Sequence, residues 1–178
     1  MIELFGRNAP LHVDLGCGDG SFVCALAAQM PDANFLGIDR MLGRVNATAR
    51  KAVSLDNVRV LRFESSYAVR YLLPASSVEK FYLLFPDPWP KRRHQRRRVM
   101  TGEFLDAIAA ALVAQGTFHI ATDQRDYFDY IAKVARASSR FRIEERERGD
   151  LPFTTFENRF LKEGVPIYRV ELRKIDGR

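Results

Sequence analysis

Short apolar, β-branched runs alternate along most of this chain with longer segments in which apolar residues recur at helical spacing. The short runs read as strands at residues 11–15, 34–38, 58–63, 78–84 and 116–121. Between them the periodicity predicts helices over 21–29, 42–54, 101–112 and 125–137, and a weaker one over 66–73. Alternating strand and helix units predict an α/β fold, with a mostly parallel central sheet and helices on both faces. After Ala137 the pattern changes: an apolar run at 141–147, a loop, a helix-like stretch at 155–163 and a run at 167–172 predict strands added to one edge of the sheet. No internal repeat, low-complexity tract or linker interrupts the 178 residues, which read as one domain, residues 1–178.

Composition narrows the class. Apolar residues make up 47% of the chain, yet no stretch approaches the ~18 consecutive apolar residues of a membrane span. The N-terminus lacks an apolar signal core, which places the protein in the cytoplasm. Cys17 and Cys24 lie seven residues apart, and on one turn-and-helix unit their Cα atoms sit roughly 10 Å apart, too far for a disulfide, so both read as reduced thiols. His12, His94 and His119 are scattered and form no ligand cluster with the cysteines, so no metal site is expected.

Charge is the strongest departure from an ordinary α/β chain. Lys and Arg number 28 against 22 Asp and Glu, and six of those cations fall within Lys91-Arg92-Arg93-His94-Gln95-Arg96-Arg97-Arg98. Without the six the chain is neutral. A block of like charge is costly unless an opposite charge meets it, so the run points to a polyanion held by its phosphates through Arg92, Arg93, Arg96, Arg97 and Arg98. A solvated loop is the plainer alternative.

Two turns carry the candidate chemistry. Val13-Asp14-Leu15-Gly16-Cys17-Gly18-Asp19-Gly20-Ser21 closes the first strand and opens the first helix, and its glycines let a ligand approach bare backbone at a helix N-terminus. The G-x-G-x-G spacing lacks the third glycine of the dinucleotide fingerprint, which weighs against a nicotinamide cofactor. Asp39 ends the second strand, where an acidic residue accepts hydrogen bonds from ribose hydroxyls, and Glu64 ends the third. Taken singly, the glycines are a tight connection and each acid a helix cap or loop residue. Acids at three successive strand ends beside the glycine turn resemble the class I S-adenosylmethionine-dependent methyltransferases, whose Rossmann-like fold matches the predicted sheet. The second turn, Phe85-Pro86-Asp87-Pro88-Trp89-Pro90, follows the fourth strand, and its alternate prolines leave it little freedom. It presents Asp87 and the Trp89 ring, which suits a purine stacked on the indole with Asp87 accepting from guanine N1-H and N2-H. A proline-rich turn with Trp89 as packing is the alternative.

The stretch from Phe85 to Arg98 is similar to the signature of the bacterial tRNA (guanine-N7)-methyltransferases, in which a PDPW turn leads into Lys, Arg and His residues. Ala121-Thr122-Asp123 resembles that family's ATD element, and Thr154-Thr155-Phe156-Glu157 its T-K-F-E element with Thr155 in place of Lys. The resemblance implies methylation of guanine 46 in the tRNA variable loop. It further implies an S-adenosylmethionine site at Asp14, Gly16, Gly18, Gly20, Asp39, Glu64 and Asp87, with Asp87 also catalytic. Substrate contacts are implied at Lys91, Asp123, Thr154, Thr155, Phe156 and Glu157. Asp14 and Asp39 stand where Glu is frequent, Glu64 where Asp is frequent, and Pro90 replaces a frequent His. The chain starts about ten residues before its first strand, so an N-terminal RNA-binding arm is expected to be missing. Thr154 and Glu157 also fit a capping box, and Asp123 a cap for the helix near Arg125. Two other functions use fewer of these features: a methyltransferase for a small molecule or protein leaves the basic run unused, and a non-catalytic RNA-binding module leaves the glycine turn unused. The protein is expected to act as a monomer or homodimer.

Overall fold

Seven strands form one sheet in the computed structural model, which describes residues 2–144 and 149–175. After a short helix α1 (Ile2–Phe5) the chain runs β1 (Leu11–Leu15), α2 (Ser21–Gln29), β2 (Asn34–Asp39), α3 (Leu42–Lys51), β3 (Val58–Arg62), α4 (Ser65–Tyr71) and β4 (Val78–Leu84). It continues through α5 (Gly102–Ala111), β5 (Leu112–Thr122), α6 (Arg125–Ala137), β6 (Phe141–Glu144), α7 (Thr155–Glu163) and β7 (Tyr168–Lys174). The strand order is β3-β2-β1-β4-β5-β7-β6. The first five strands pair in parallel; β7 runs antiparallel to both β5 and β6.

Burial marks β1 and β2 as interior strands of the sheet. Every residue of both strands is buried, as expected where helices cover both faces. Side chains alternate between two apolar clusters. Val13, Leu15, Leu36, Ile38, Phe81 and Leu83 point to one face and meet Phe104, Leu105 and Ile108 of α5 and Tyr127 and Ile131 of α6. Phe35 and Tyr82 point to the other and meet Phe22, Val23 and Leu26 of α2. The order reverses between β1 and β4, and the C-terminal ends of strands flanking such a reversal open a crevice.

Element ends differ from the periodicity in instructive ways. The expected helix at 42–54 stops at Lys51 and continues as a tighter turn, Ala52–Ser54. The β5 strand begins at Leu112, four residues early, because Leu112 leaves α5 in an extended conformation and pairs with Val78 before a register shift near Lys80. Residues 145–147 of the expected 141–147 strand lie outside the described residues. The charged run, to which the periodicity assigns no element, contains a 3₁₀ helix, Arg92–Arg97. Among the described residues no helix is long and apolar enough to cross a membrane, and no group of three His, Cys, Asp or Glu is placed to hold a metal ion.

Candidate active site

The glycine turn leaves β1 tied to β2, with the amides of Gly16 and Cys17 both donating to the Ile38 carbonyl at 2.7 and 3.0 Å. Gly18 has φ +59 and a Cβ placed on it would meet nothing within 4 Å, so its backbone borders open space. Gly20 is different: it caps α2 at φ +78, and a Cβ there would lie 2.6 Å from Thr48 Cγ2 and 2.8 Å from Thr48 Cα. Gly20, expected at the cofactor, instead lets α2 pack against α3.

Asp39, at the end of β2, is buried and accepts from the Gly18 amide at 3.1 Å and the Met41 amide at 2.8 Å, with Arg44 Nη1 3.6 Å away. Asp14 is also buried. Burial, and then the nearby Asp39 charge, push its carboxyl up to about 7. Both cysteines are free and buried, and burial raises both thiols, so they are protonated. Glu64 is exposed and caps α4, accepting from the Ser66 and Tyr67 amides at 3.0 and 2.9 Å, while also lining the cleft.

Two cavities meet at the crevice. One of about 460 Å³ is bordered by Gly16, Asp39, Glu64, Asp87, Trp89 and Arg97. The other, about 310 Å³, is bordered by Asp14, Gly18, Asp87, Thr154, Thr155 and Phe156. Gly16, Arg44, Leu84, Phe85 and Asp87 line both, so the end of β4 and the turn after it stand between them. Arg40 and Arg44 carry no motif of their own in the sequence; their one signal is that they follow the acidic end of β2, and the fold brings them to the cleft beside Phe85.

Asp87 projects into solvent at the cleft, its side chain 70% exposed, with Arg40 Nη2 3.9 Å from its carboxylate. The turn is strained at both ends: Phe85 has φ 56 and Trp89 has φ 43, a region that costs non-glycine residues on the order of 1–3 kcal/mol each. The Phe85 amide donates to the Ala121 carbonyl at 2.8 Å, and its ring rests against Phe156 and Phe160. The Arg97 guanidinium lies 5.0 Å from the centre of the Trp89 ring and His94 meets that ring edge-on. A base stacking on the same indole face displaces Arg97.

The 3₁₀ helix sorts the basic run by its three-residue repeat. His94 and Arg97 face Trp89, and Arg97 is exposed together with Lys91, Arg92, Arg93 and Arg96. Arg98 corrects the sequence expectation. It is buried at 4% exposure, its Nε donating to the Pro88 carbonyl at 2.8 Å and its Nη2 to Asp126 Oδ2 at 2.7 Å, and so it is unavailable to phosphate.

The later elements divide similarly. Thr154 and Glu157 form the capping box of α7: the Glu157 amide donates to Thr154 Oγ1 at 3.0 Å, and the Thr154 amide to Glu157 Oε2 at 2.9 Å. Arg169 Nη2 donates to Glu157 Oε1 at 2.8 Å. Glu157, expected at the substrate, is therefore buried and saturated by structural partners. Thr155 and Phe156 remain exposed at the cleft. Asp123 is half-buried outside both cavities and accepts from the Gln124 side-chain amide; the N-cap of α6 is Gln124, without a side-chain cap bond, so the expected Asp123 cap is not made.

A seven-stranded α/β sheet with a glycine turn and acids at its strand ends is the fold of the class I methyltransferases, and solved structures share that fold. The antibiotic-resistance methyltransferase Kmr superposes with a TM-score of 0.67 at 19% identity, over 99% of this chain and 92% of the other. The 16S rRNA methyltransferase KamB gives 0.70 at 18%, over 98% and 92%. In sequence, residues 8–170 match the putative methyltransferase family. The tRNA (guanine-N(7)-)-methyltransferase of Streptococcus suis is 35% identical over 95% of this chain and 83% of its own. That of Halorhodospira halophila is 37% identical over 93% and 75%. The chain belongs to this tRNA (guanine-N7)-methyltransferase family.

The methyl donor of such an enzyme is S-adenosylmethionine. The residues present fit it: Gly18 offers bare backbone to open space, Asp39 and Asp14 sit at the strand ends with acceptor oxygens for ribose and ammonium groups, and Glu64 borders the same cleft.

Proposed function

We propose that the protein methylates N7 of guanine in tRNA, at position 46 of the variable loop, in the cytoplasm. The observation that carries this reading is the juxtaposition of Asp87, at the mouth of the donor cleft, with the exposed Lys91, Arg92, Arg93 and Arg96 on the helical turn that follows. Family membership supports the substrate, since the curated relatives are named for it.

Guanine N7 carries a lone pair and no proton, so no general base is needed at that atom. Bound in the cleft, S-adenosylmethionine supplies an electrophilic methyl group. The chain's own task is to orient the base, and positioning of this kind supplies roughly 7 to 11 kcal/mol. Asp87 accepts from guanine N1-H and N2-H and stabilises the positive charge that develops on the purine. Arg40, now its nearest cation, gives way to the base. The exposed cations of the run hold backbone phosphates, fixing register without reading sequence. Lys91, Asp123, Thr155 and Phe156 follow from the family resemblance, and Thr155 and Phe156 are supported by their place on the cavity that Asp14 and Gly18 also border.

The test is transfer of tritiated methyl from S-adenosylmethionine to unmodified tRNA, with a tRNA carrying adenine at position 46 as control. Label appears as 7-methylguanosine in the first and not in the second. Equal labelling of both would move the target elsewhere, and no labelling of either would end the tRNA reading.

A further inference from the structure

Arg98 is the one cation of the basic run that is buried, and the RNA-binding reading leaves it without a task. Its guanidinium bridges two parts of the fold. Nε reaches the Pro88 carbonyl, the residue after Asp87, and Nη2 reaches Asp126 on α6. The same group lies 4.7 Å from the centre of the Tyr127 ring and 5.2 Å from that of Tyr130. Helix α6 is a rigid anchor, with Tyr127 and Ile131 fully buried against the sheet. The turn it holds needs an anchor. Three prolines deprive it of amide donors, and the left-handed Phe85 and Trp89 would relax if unrestrained. A planar guanidinium satisfies two acceptors in different directions at once, which a single ammonium on a flexible stem does poorly.

We propose that Arg98 is a positioning residue for methyl transfer: by tying the Pro88 carbonyl to Asp126 and the tyrosine faces of α6, it fixes the Asp87 carboxylate at the cleft. The contact also closes the chain from Pro88 to Arg98 into one loop. The exposed cations that grip RNA and the carboxylate that orients the base therefore move as a unit. The proposal rests on the assignment of the Asp87 turn to the reaction.

Three variants test it, Arg98→Met, Arg98→Lys and Asp126→Asn, with two readouts. The first is the single-turnover rate at saturating tRNA and S-adenosylmethionine, set beside tRNA affinity and its salt dependence. The second is acrylamide quenching of Trp89 in the free protein; it is the chain's single tryptophan, so the signal reports the turn alone. Arg98→Met should lower the saturated rate on the order of 10²-fold, the cost of a displacement near 1 Å, while tRNA affinity stays within about threefold and the salt slope is unchanged. Quenching of Trp89 should rise. Arg98→Lys should recover part of both, and Asp126→Asn, which keeps the Pro88 contact, should show smaller changes of the same sign. If Arg98→Met lowers tRNA affinity and salt slope but not the saturated rate, Arg98 is a phosphate contact and the proposal is wrong. Normal rate and normal quenching would overturn it too. Should Arg98→Met fail to fold, the Lys and Asn variants decide by the same readouts. If wild-type protein methylates no tRNA, the tRNA reading has failed, and Trp89 quenching still decides whether Arg98 holds the turn.

Discussion

Two carboxylates at the cleft carry opposite tasks because their surroundings differ. Asp87 stands in solvent beside Arg40, whereas Asp14 is buried beside Asp39. Asp87→Asn keeps the size of the side chain and removes its charge, so it should cut the saturated single-turnover rate by about 10²-fold or more while tRNA affinity changes little. Near-normal turnover would reduce Asp87 to a spacer. For Asp14, the folded-state value of about 7 lies above the ordinary 3.8, so the native protein holds a proton that the unfolded chain has released. Stability should therefore fall as pH rises from about 4 to about 7, by up to about 1.4 kcal/mol per pH unit, and level off above. Urea unfolding of wild type and Asp14→Asn at several pH values checks this: the variant should lack that part of the slope. The two glycines also separate. Gly18→Val, projecting into open cleft, should abolish S-adenosylmethionine binding in calorimetry while costing about 1–2 kcal/mol of stability for its left-handed backbone. Gly20→Val should destabilise the fold itself, through Thr48.

Among the elements, the 3₁₀ helix decides which cations of the run are free. Arg93 and Arg96 are both exposed on it, and replacing both by Ala should lower the log-log salt slope of tRNA binding by about 1.5, at 0.7 to 0.9 per phosphate contact. An unchanged slope would mean that this part of the run touches no phosphate. Helix α7 begins at a capping box whose glutamate also binds Arg169 on β7, so the box joins the cleft wall to the antiparallel part of the sheet. Thr154→Ala should cost about 1 kcal/mol in thermal unfolding, the usual worth of such a cap. The sequence could be read for the box itself, a local pattern, but not for its burial. That depends on β7, whose Arg169 lies 12 residues away.

At the scale of the whole molecule, the cleft proposed for the donor spans the C-terminal ends of β1, β2 and β4 and the start of α7, so binding there would couple distant segments. S-adenosylmethionine at a hundred times its dissociation constant should stabilise the protein by about 2.7 kcal/mol, or about 5 to 11 °C in Tm for a chain of this size. Gly18→Val should lose the shift.

The alternation of short apolar runs and amphipathic segments determined the α/β architecture, because side-chain period alone says which residues face a core. The glycine turn, the strand-end acids and the proline-bounded Asp87 were legible for the same reason: each is a short pattern whose residues are neighbours in the chain. What the tertiary structure decided was how identical residue types were divided. Arg96 and Arg98 belong to one charge run, yet one is exposed and the other sits under tyrosines of α6. Gly18 and Gly20 belong to one turn and both touch Thr48, yet a Cβ would collide with α3 at Gly20 and meet open space at Gly18. Glu157 and Phe156 are adjacent, yet the acid turns inward to Arg169 while the ring stays at the cleft. In every case the deciding partner, Asp126, Thr48 or Arg169, is remote in sequence. A side chain's role is set by the group that satisfies its charge or fills its space, and folding alone brings that group into contact.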